Sequence, residues 1–267
     1  MIGTKLISLS CVGMLLAGLC LAGSQSAVAL EIGSHRAPLV TDLTRMRVEL
    51  KGALLAKQVD SHLKQNDLAL LAVGDFLSAN PDISAPIAHS RMKRYQRAAA
   101  GLRSILAIAA DGTLLFDSYN LPAPDINLGD RLYVREAVRQ GSGDLRINPP
   151  VVGRQSGLPF IPITRGLFNV EGVAIGVVVG IMGPETLLPE DSNCALCVSV
   201  VLTSDMDVMV SRPSGLQLSN DLISHINDSM SFTGIELIDI NGGLTLFTWT
   251  KNNYAGVITV VGELLPN

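Results

Sequence analysis

The sequence predicts an α+β fold in which one long helix runs along two small antiparallel-sheet modules. Between residues 41 and 80 apolar side chains recur mostly at intervals of three, four or seven, the period of an amphipathic helix. From residue 101 onward the pattern changes to short apolar runs bounded by turn residues, the signature of strands. Within that stretch the order hairpin, helix, three strands occurs twice, which makes two modules rather than one.

The first 29 residues precede this fold. They contain one lysine, an apolar run over residues 6–23 and the triplet Ala27-Val28-Ala29, the pattern of a secretory signal peptide cut after Ala29. The same run sits at the lower limit for spanning a bilayer, so retention as a membrane anchor is the alternative. Lipidation at Cys20 is disfavoured because Leu19 stands where a small residue belongs. Either way the remainder is exported. At 267 residues and 48% hydrophobic composition the chain can bury a sizeable core, which excludes disorder. Losing the leader removes Lys5 and no acid, so 20 basic against 24 acidic residues become 19 against 24, a net charge of -5. No nucleic acid partner is expected of such a chain.

The long helix is marked by Leu43, Met46, Leu50, Leu54, Val59, Leu63, Leu70, Val73 and Leu77, with Thr41 as N-cap and Pro81 as the stop. About forty residues make about 60 Å of helix, longer than one compact domain needs. A weak turn at Asn66-Asp67 is a place where it could split. A second helix over residues 84–100 carries Arg91, Lys93, Arg94 and Arg97, read as a solvated basic face, with anionic headgroups or an acidic partner as the alternative. In "LRSILAIAADGTLLFDS" the strands at residues 105–109 and 113–118 flank Asp111-Gly112, a pair that supplies the positive φ values of a tight hairpin. Strands follow at about residues 145–152, 158–167 and 173–182, making a sheet of about five. Of these, "VEGVAIGVVVGIM" is so continuously apolar that it is expected at the buried centre. After the connector "MGPETLLPEDSN" come a hairpin in "CVSVVLTSDMDVMVSRP", a helix in "SNDLISHINDSM" and three strands turning at "NGG" and "KNNYAG". The expected divisions are thus a leader (1–29), the two N-terminal helices (30–100), a first module (101–188) and a smaller second module (189–267).

Cys11 and Cys20 lie in the leader, leaving Cys194 and Cys197 in "NCALCVSV". In an oxidising compartment the pair can close a small disulfide ring. It leads into a β-branched strand, whereas a redox pair opens a helix that lowers the thiol pKa, so a structural disulfide or plain buried thiols are favoured over redox chemistry. His35, His62, His89 and His225 are scattered and none stands at metal-ligand spacing. There is no G-x-S-x-G, phosphate loop or zinc motif, so neither catalysis, a metal nor a cofactor is expected.

The stretches "ILAIAADGTLLFDS", "LGDRLYVREAV", "LPFIPITRGLFNVEGVAIGVVVGIMGPETL", "VSVVLTSDMDVMVSRP" and "LFTWTKNNYAGVITVVGEL", in this order and spacing, resemble the double Cache (dCache) extracellular sensor domains of bacterial chemoreceptors, histidine kinases and diguanylate cyclases. The resemblance runs from about residue 41 to the end. It implies two PAS-like modules, the membrane-distal one (101–188) binding a small molecule and the membrane-proximal one (189–267) passing the change on. It also implies a periplasmic location, free or on the inner membrane. The sequence ends at Asn267 directly after the last strand, so the expectation is a sensor that acts through a membrane-bound kinase or diguanylate cyclase, or the sensory remnant of a longer receptor.

The same resemblance places "DRLY" over the pocket of the distal module. Arg131 there would hold a carboxylate with its fork of donors, Tyr133 would add a ring and a hydroxyl, and Asp130 would orient the arginine. The competing reading has Asp130 capping a short helix that begins near Tyr133 while Arg131 pairs with a surface acid. Of Thr164 and Arg165, strand alternation lets only one face the pocket. Arg154, in the turn "GRQSG", is by default an exposed arginine; Tyr119 walls the pocket or covers a sheet edge; and Arg135 and Arg139 face water. Relatives that bind amino acids use Arg-x-Trp for the carboxylate, with a tyrosine and aspartates for the ammonium group. Here Tyr133 replaces the tryptophan, "INPPVV" has neither tyrosine nor aspartate, and "VVVGIMG" has no acid, so an anion or small carboxylate fits better than an amino acid. The rival to a ligand sensor is a chain without ligand that serves as a dimerisation or protein-interaction module through its long helix. Carriage of a ligand to a transporter is a third reading.

Overall fold

The computed structural model describes residues 36–139, 143–169, 171–188, 196–240 and 243–265. The leader, Cys194 and the boundary at residues 188–189 fall at or beyond their edges. The chain divides into two compact units, Met1–Thr41 and Asp42–Asn267.

Helix α1 spans Arg36–Ala79, and α2 spans Ala85–Ala98. α1 is already helical at Arg36, so Thr41 lies inside it and is not its cap; Pro38 falls in the first turn, where a missing N–H costs nothing. Nor does the helix break at Asn66-Asp67. Both side chains are buried and tied to strands, Asn66 through an Nδ2 to Met182 Sδ contact of 3.4 Å, and these contacts outweigh a weak local propensity. The apolar residues expected to mark one buried face occupy two. Of them, Val59, Leu63, Leu70 and Val73 are buried, together with Val48 and Leu55, which the pattern had not marked, whereas Leu43, Met46, Leu50 and Leu54 are 59–65% exposed.

The first sheet contains β1 (Leu102–Ala109), β2 (Leu114–Asp117), β3 (Arg146–Ile147), β4 (Val151–Val152), β5 (Pro159–Phe168) and β6 (Ala174–Met182). Its order is β2-β1-β6-β5-β3, with β4 also on β5, so the apolar strand β6 is central as its composition requires. The β1–β2 turn follows the Asp111-Gly112 signal, with Gly112 at φ +91°. The strand expected over residues 145–152 is two short pieces, because Pro149 and Pro150 lie between them and have no N–H for a ladder. α3, Leu132–Arg139, begins one residue before Tyr133, and the amides of Val134 and Arg135 donate to the Arg131 carbonyl at 3.1 Å.

The second sheet contains β7 (Cys197–Thr203), β8 (Val208–Arg212), β9 (Thr233–Ile240), β10 (Gly243–Asn252) and β11 (Val257–Leu264), in the order β8-β7-β11-β10-β9. α4, Asn220–Asp228, is capped by Ser219, whose hydroxyl accepts from the Leu222 amide at 3.3 Å. Between α4 and the sheet lie Phe247 and Trp249. Gly234 makes room for the indole, since a Cβ there would stand 1.9 Å from Trp249 Cζ2.

One apolar cluster joins the two sheets. Leu55, Val59, Leu63, Leu70 and Val73 of α1 pack with Ile161, Ile163, Val178 and Met182 of the first sheet and with Val201, Met209, Val257 and Val261 of the second. Polar ties follow the same helix. Arg47 Nε donates to Glu263 on β11 at 2.9 Å, and His62 Nδ1 lies 3.1 Å from the Thr186 carbonyl oxygen in the 3-10 turn Pro184–Leu187. Asp67 accepts from Arg165 Nε and, at 2.9 Å, from Nη2, and it also accepts from the Tyr254 hydroxyl. The Asp67 side chain is 3% exposed and that of Arg165 18%.

Breaking a buried ion pair from one side strands the other charge. Asp67→Ala is therefore expected to cost about 3–5 kcal/mol in urea unfolding, far more than loss of an exposed carboxylate such as Glu171. The bond to Asp67, followed by burial, raises the Tyr254 phenol above its usual value of 10.0. The folded state thus keeps a proton that the unfolded state releases, so this contribution is intact below pH 10 and is lost as pH rises past it. Stability is expected to fall more steeply above that pH in the wild type than in Tyr254→Phe, measured by denaturation at stepped pH.

Candidate functional site

A cavity of about 690 Å³ lies on the face of the first sheet that carries α3. Its apolar wall is Leu106, Ile126, Leu128, Leu158, Phe160 and Ile181 together with Tyr133. The rings of Tyr133 and Phe160 meet edge to face, with centroids 6.2 Å apart and planes at 79°. Tyr133 is buried, and burial pushes its phenol pKa up against the opposing pull of Arg131 and Arg154.

The remaining lining is polar and includes Ser104, Asp117, Tyr119, Asn120, Gln155 and Ser156 with three arginines, Arg103, Arg131 and Arg154. Two of the arginines are committed. Arg103 Nη2 donates to both oxygens of Glu185 at 2.8 and 3.0 Å, and Nη1 donates to the Pro159 carbonyl at 2.8 Å. Arg154 pairs with Asp130 and donates to the Asn127 carbonyl at 3.0 Å. Arg131 differs. It donates from Nη2 to the Val152 carbonyl at 3.2 Å, its Nε is buried without a partner, and among the described residues it has no carboxylate. A buried donor left unpaired costs free energy that an incoming acceptor restores.

Of the residues singled out from sequence, the structure brings Arg131, Tyr133, Tyr119 and Arg154 to this one cavity. Asp130 does not orient Arg131; it is exposed and pairs instead with Arg154, 24 residues further along the chain. Nor does Arg131 pair with a surface acid. Thr164 and Arg165 do not line the cavity. Thr164 lies on the cavity side of β5, opposite Val179, but is fully buried beneath Asn148, whose Nδ2 is 3.3 Å from its hydroxyl. Arg165 points through the other face to Asp67 on α1. Arg135 and Arg139 are exposed.

Sequence reasoning missed Asp117, Asn120 and Arg103. Asp117 is an acid in the cavity wall, where none was expected; its Oδ1 accepts from the Tyr119 amide at 2.8 Å and its Oδ2 from Asn120 Nδ2 at 2.7 Å. The signal was there in "FDSYN", an aspartate placed to bond an amide two residues on. Cys197 is disulfide-bonded, with Lys51 Nζ 3.1 Å from its sulfur; Cys194 lies outside the described residues.

No family model and no curated protein matches the sequence. Solved structures do match. The extracellular domain of a protein described as a histidine kinase, rpHK1S-Z16, aligns with a TM-score of 0.75 at 20% identity, over 85% of this chain and 97% of that one. The ligand-binding domain of the Pseudomonas fluorescens chemoreceptor CtaA with L-isoleucine gives 0.65 at 17%, over 86% and 95%. That of the Pseudomonas aeruginosa PAO1 amino acid chemoreceptor PctC with GABA gives 0.60 at 18%, over 84% and 100%. The fold, a long helix along two antiparallel sheets, is shared with these domains and is the one that the double Cache resemblance implied. Among the described residues no helix is long and apolar enough to cross a membrane.

Proposed function

We propose that this protein is a non-catalytic sensor, exported to the periplasm or held on the membrane facing it, whose first-sheet cavity binds a small anion. The observation that carries the reading is that Arg131 lines a cavity with an apolar floor and, among the described residues, has no carboxylate partner. A carboxylate would receive two donors from that guanidinium, with Tyr133 beneath it and the ligand's apolar body on Leu128, Phe160 and Ile181. Asp117 also lies in the cavity wall, with each of its oxygens accepting one hydrogen bond from its own loop. Tyr119 and Arg154 stand at the edge of the site and Asp130 behind Arg154. The ligands of the structural neighbours, L-isoleucine and GABA, support a small molecule bearing a carboxylate. The partner would be a membrane-bound kinase or diguanylate cyclase.

A second reading, dimerisation, has its own observation. Leu43, Met46, Leu50 and Leu54 are spaced three, four and four apart along α1 and are exposed, the seam of a two-helix contact. We read it as a homodimer seam that serves the sensor and would survive as the whole function if the cavity bound nothing.

A bound ligand at about a hundred times its Kd adds about 2.7 kcal/mol, or roughly 5–10 °C in Tm for a chain of this size. Small carboxylates screened by thermal shift are expected to include one that produces such a rise in the wild type and none in Arg131→Ala, whose unliganded Tm changes little. Equal shifts in both proteins would remove Arg131 from the site. For the seam, Leu50→Glu is expected to halve the mass seen by light scattering without lowering the unfolding midpoint of the protomer; an unchanged mass would count against the homodimer.

A further inference from the structure

The Asp67 cluster lies outside the cavity yet is joined to β5, one of the strands that line it. Arg165 is the first link. Its strand, β5, supplies Phe160 to the cavity wall, and its Nη1 donates to the carbonyl of Gly143, in the segment that follows α3. α3 carries Tyr133 and is preceded directly by Arg131. A shift of α3 or β5 against the cavity therefore moves the Arg165 guanidinium. Asp67 is the second link, and its Oδ2 accepts from two donors at once, Arg165 Nη2 and the hydroxyl of Tyr254.

Tyr254 belongs to the other sheet. It stands in the turn between β10 and β11, where Gly256 takes a φ of +61°. The turn is fastened independently to α1 one heptad earlier. Asn252 Nδ2 donates to Asp60 Oδ1 at 2.9 Å, and Asn252 Oδ1 accepts from the amides of Tyr254 and Ala255 at 2.9 and 3.2 Å. The two partners of Asp67 are unequal. Arg165 and Asp67 are buried and cannot part without stranding a charge. Tyr254 is 48% exposed and can give its hydroxyl to water at little cost. Any strain on the cluster is thus relieved at Tyr254.

We propose that Tyr254 is a releasable latch: it ties the β10–β11 turn of the second sheet to Asp67, and a movement of Arg165 caused by rearrangement of the cavity wall changes its hold. The coupling is a physical chain from Gly143 and β5 through Arg165 and Asp67 to Tyr254, with a bond at its end that has two states. Its use in signalling rests on the sensor reading, whereas the coupling itself does not.

The test needs no ligand, so its outcome is distinct from that of the thermal-shift screen. Hydrogen exchange is measured on the full chain, on Tyr254→Phe and on Asn252→Ala. Tyr254→Phe deletes only the latch bond and is expected to leave the unfolding midpoint nearly unchanged. It is expected to speed amide exchange roughly tenfold at residues 252–257 and severalfold at residues 143–147, which reach Tyr254 through Arg165 and Asp67. Asn252→Ala loosens the same turn from Asp60 and is expected to leave residues 143–147 as they were. Exchange changes confined to the turn in Tyr254→Phe, or equal changes at residues 143–147 in both variants, would overturn the latch.

Discussion

A single helix has to serve as the wall of two sheets, and most of the structure follows from that. α1 inserts Leu55, Val59, Leu63, Leu70 and Val73 into a cluster to which both sheets contribute. Neither sheet closes a core on that side by itself, because a sheet buries one face only against another element. At the middle of the helix the same constraint takes polar form. Asp67 is buried where Arg165 of the first sheet and Tyr254 of the second can both reach it, and its charge is compensated by the ion pair with Arg165.

The faces of the two sheets turned away from α1 have diverged. In the first sheet, α3 and the loop before it leave a cavity with an apolar floor and an arginine whose Nε has no partner. In the second, α4 closes over Phe247 and Trp249, and Gly234 gives up its side chain to admit the indole. Packing of that kind fills the space a ligand would need. The first sheet thus keeps an open space on this face, and the second fills its own with side chains. Leu43, Met46, Leu50 and Leu54, further toward the N-terminus, are exposed.

Most strands were legible in the sequence because their signals are local: Asp111-Gly112 for a hairpin and an unbroken apolar run for the central strand β6. What was not legible depends on contacts between distant residues. The intervals of three, four and seven along α1 mark apolar positions but cannot separate a buried seam from an exposed one, and here both are present. Asn66-Asp67 reads as a helix breaker until its partners 98 to 187 residues away are known. Thr164 lies on the cavity side of β5, as alternation permits, yet Asn148 covers it, a contact no pattern along one strand can disclose. Asp117 was passed over because its role as a turn residue and its place in the cavity wall coincide.

The central claim is that the cavity is a site for an anion held by Arg131. Native mass spectrometry of the wild type and Arg131→Ala, each titrated with the same set of small monocarboxylates, tests it most directly. The account predicts a one-to-one adduct with the wild type that Arg131→Ala does not retain. Adducts of equal strength in the two proteins, or none in either, would contradict it.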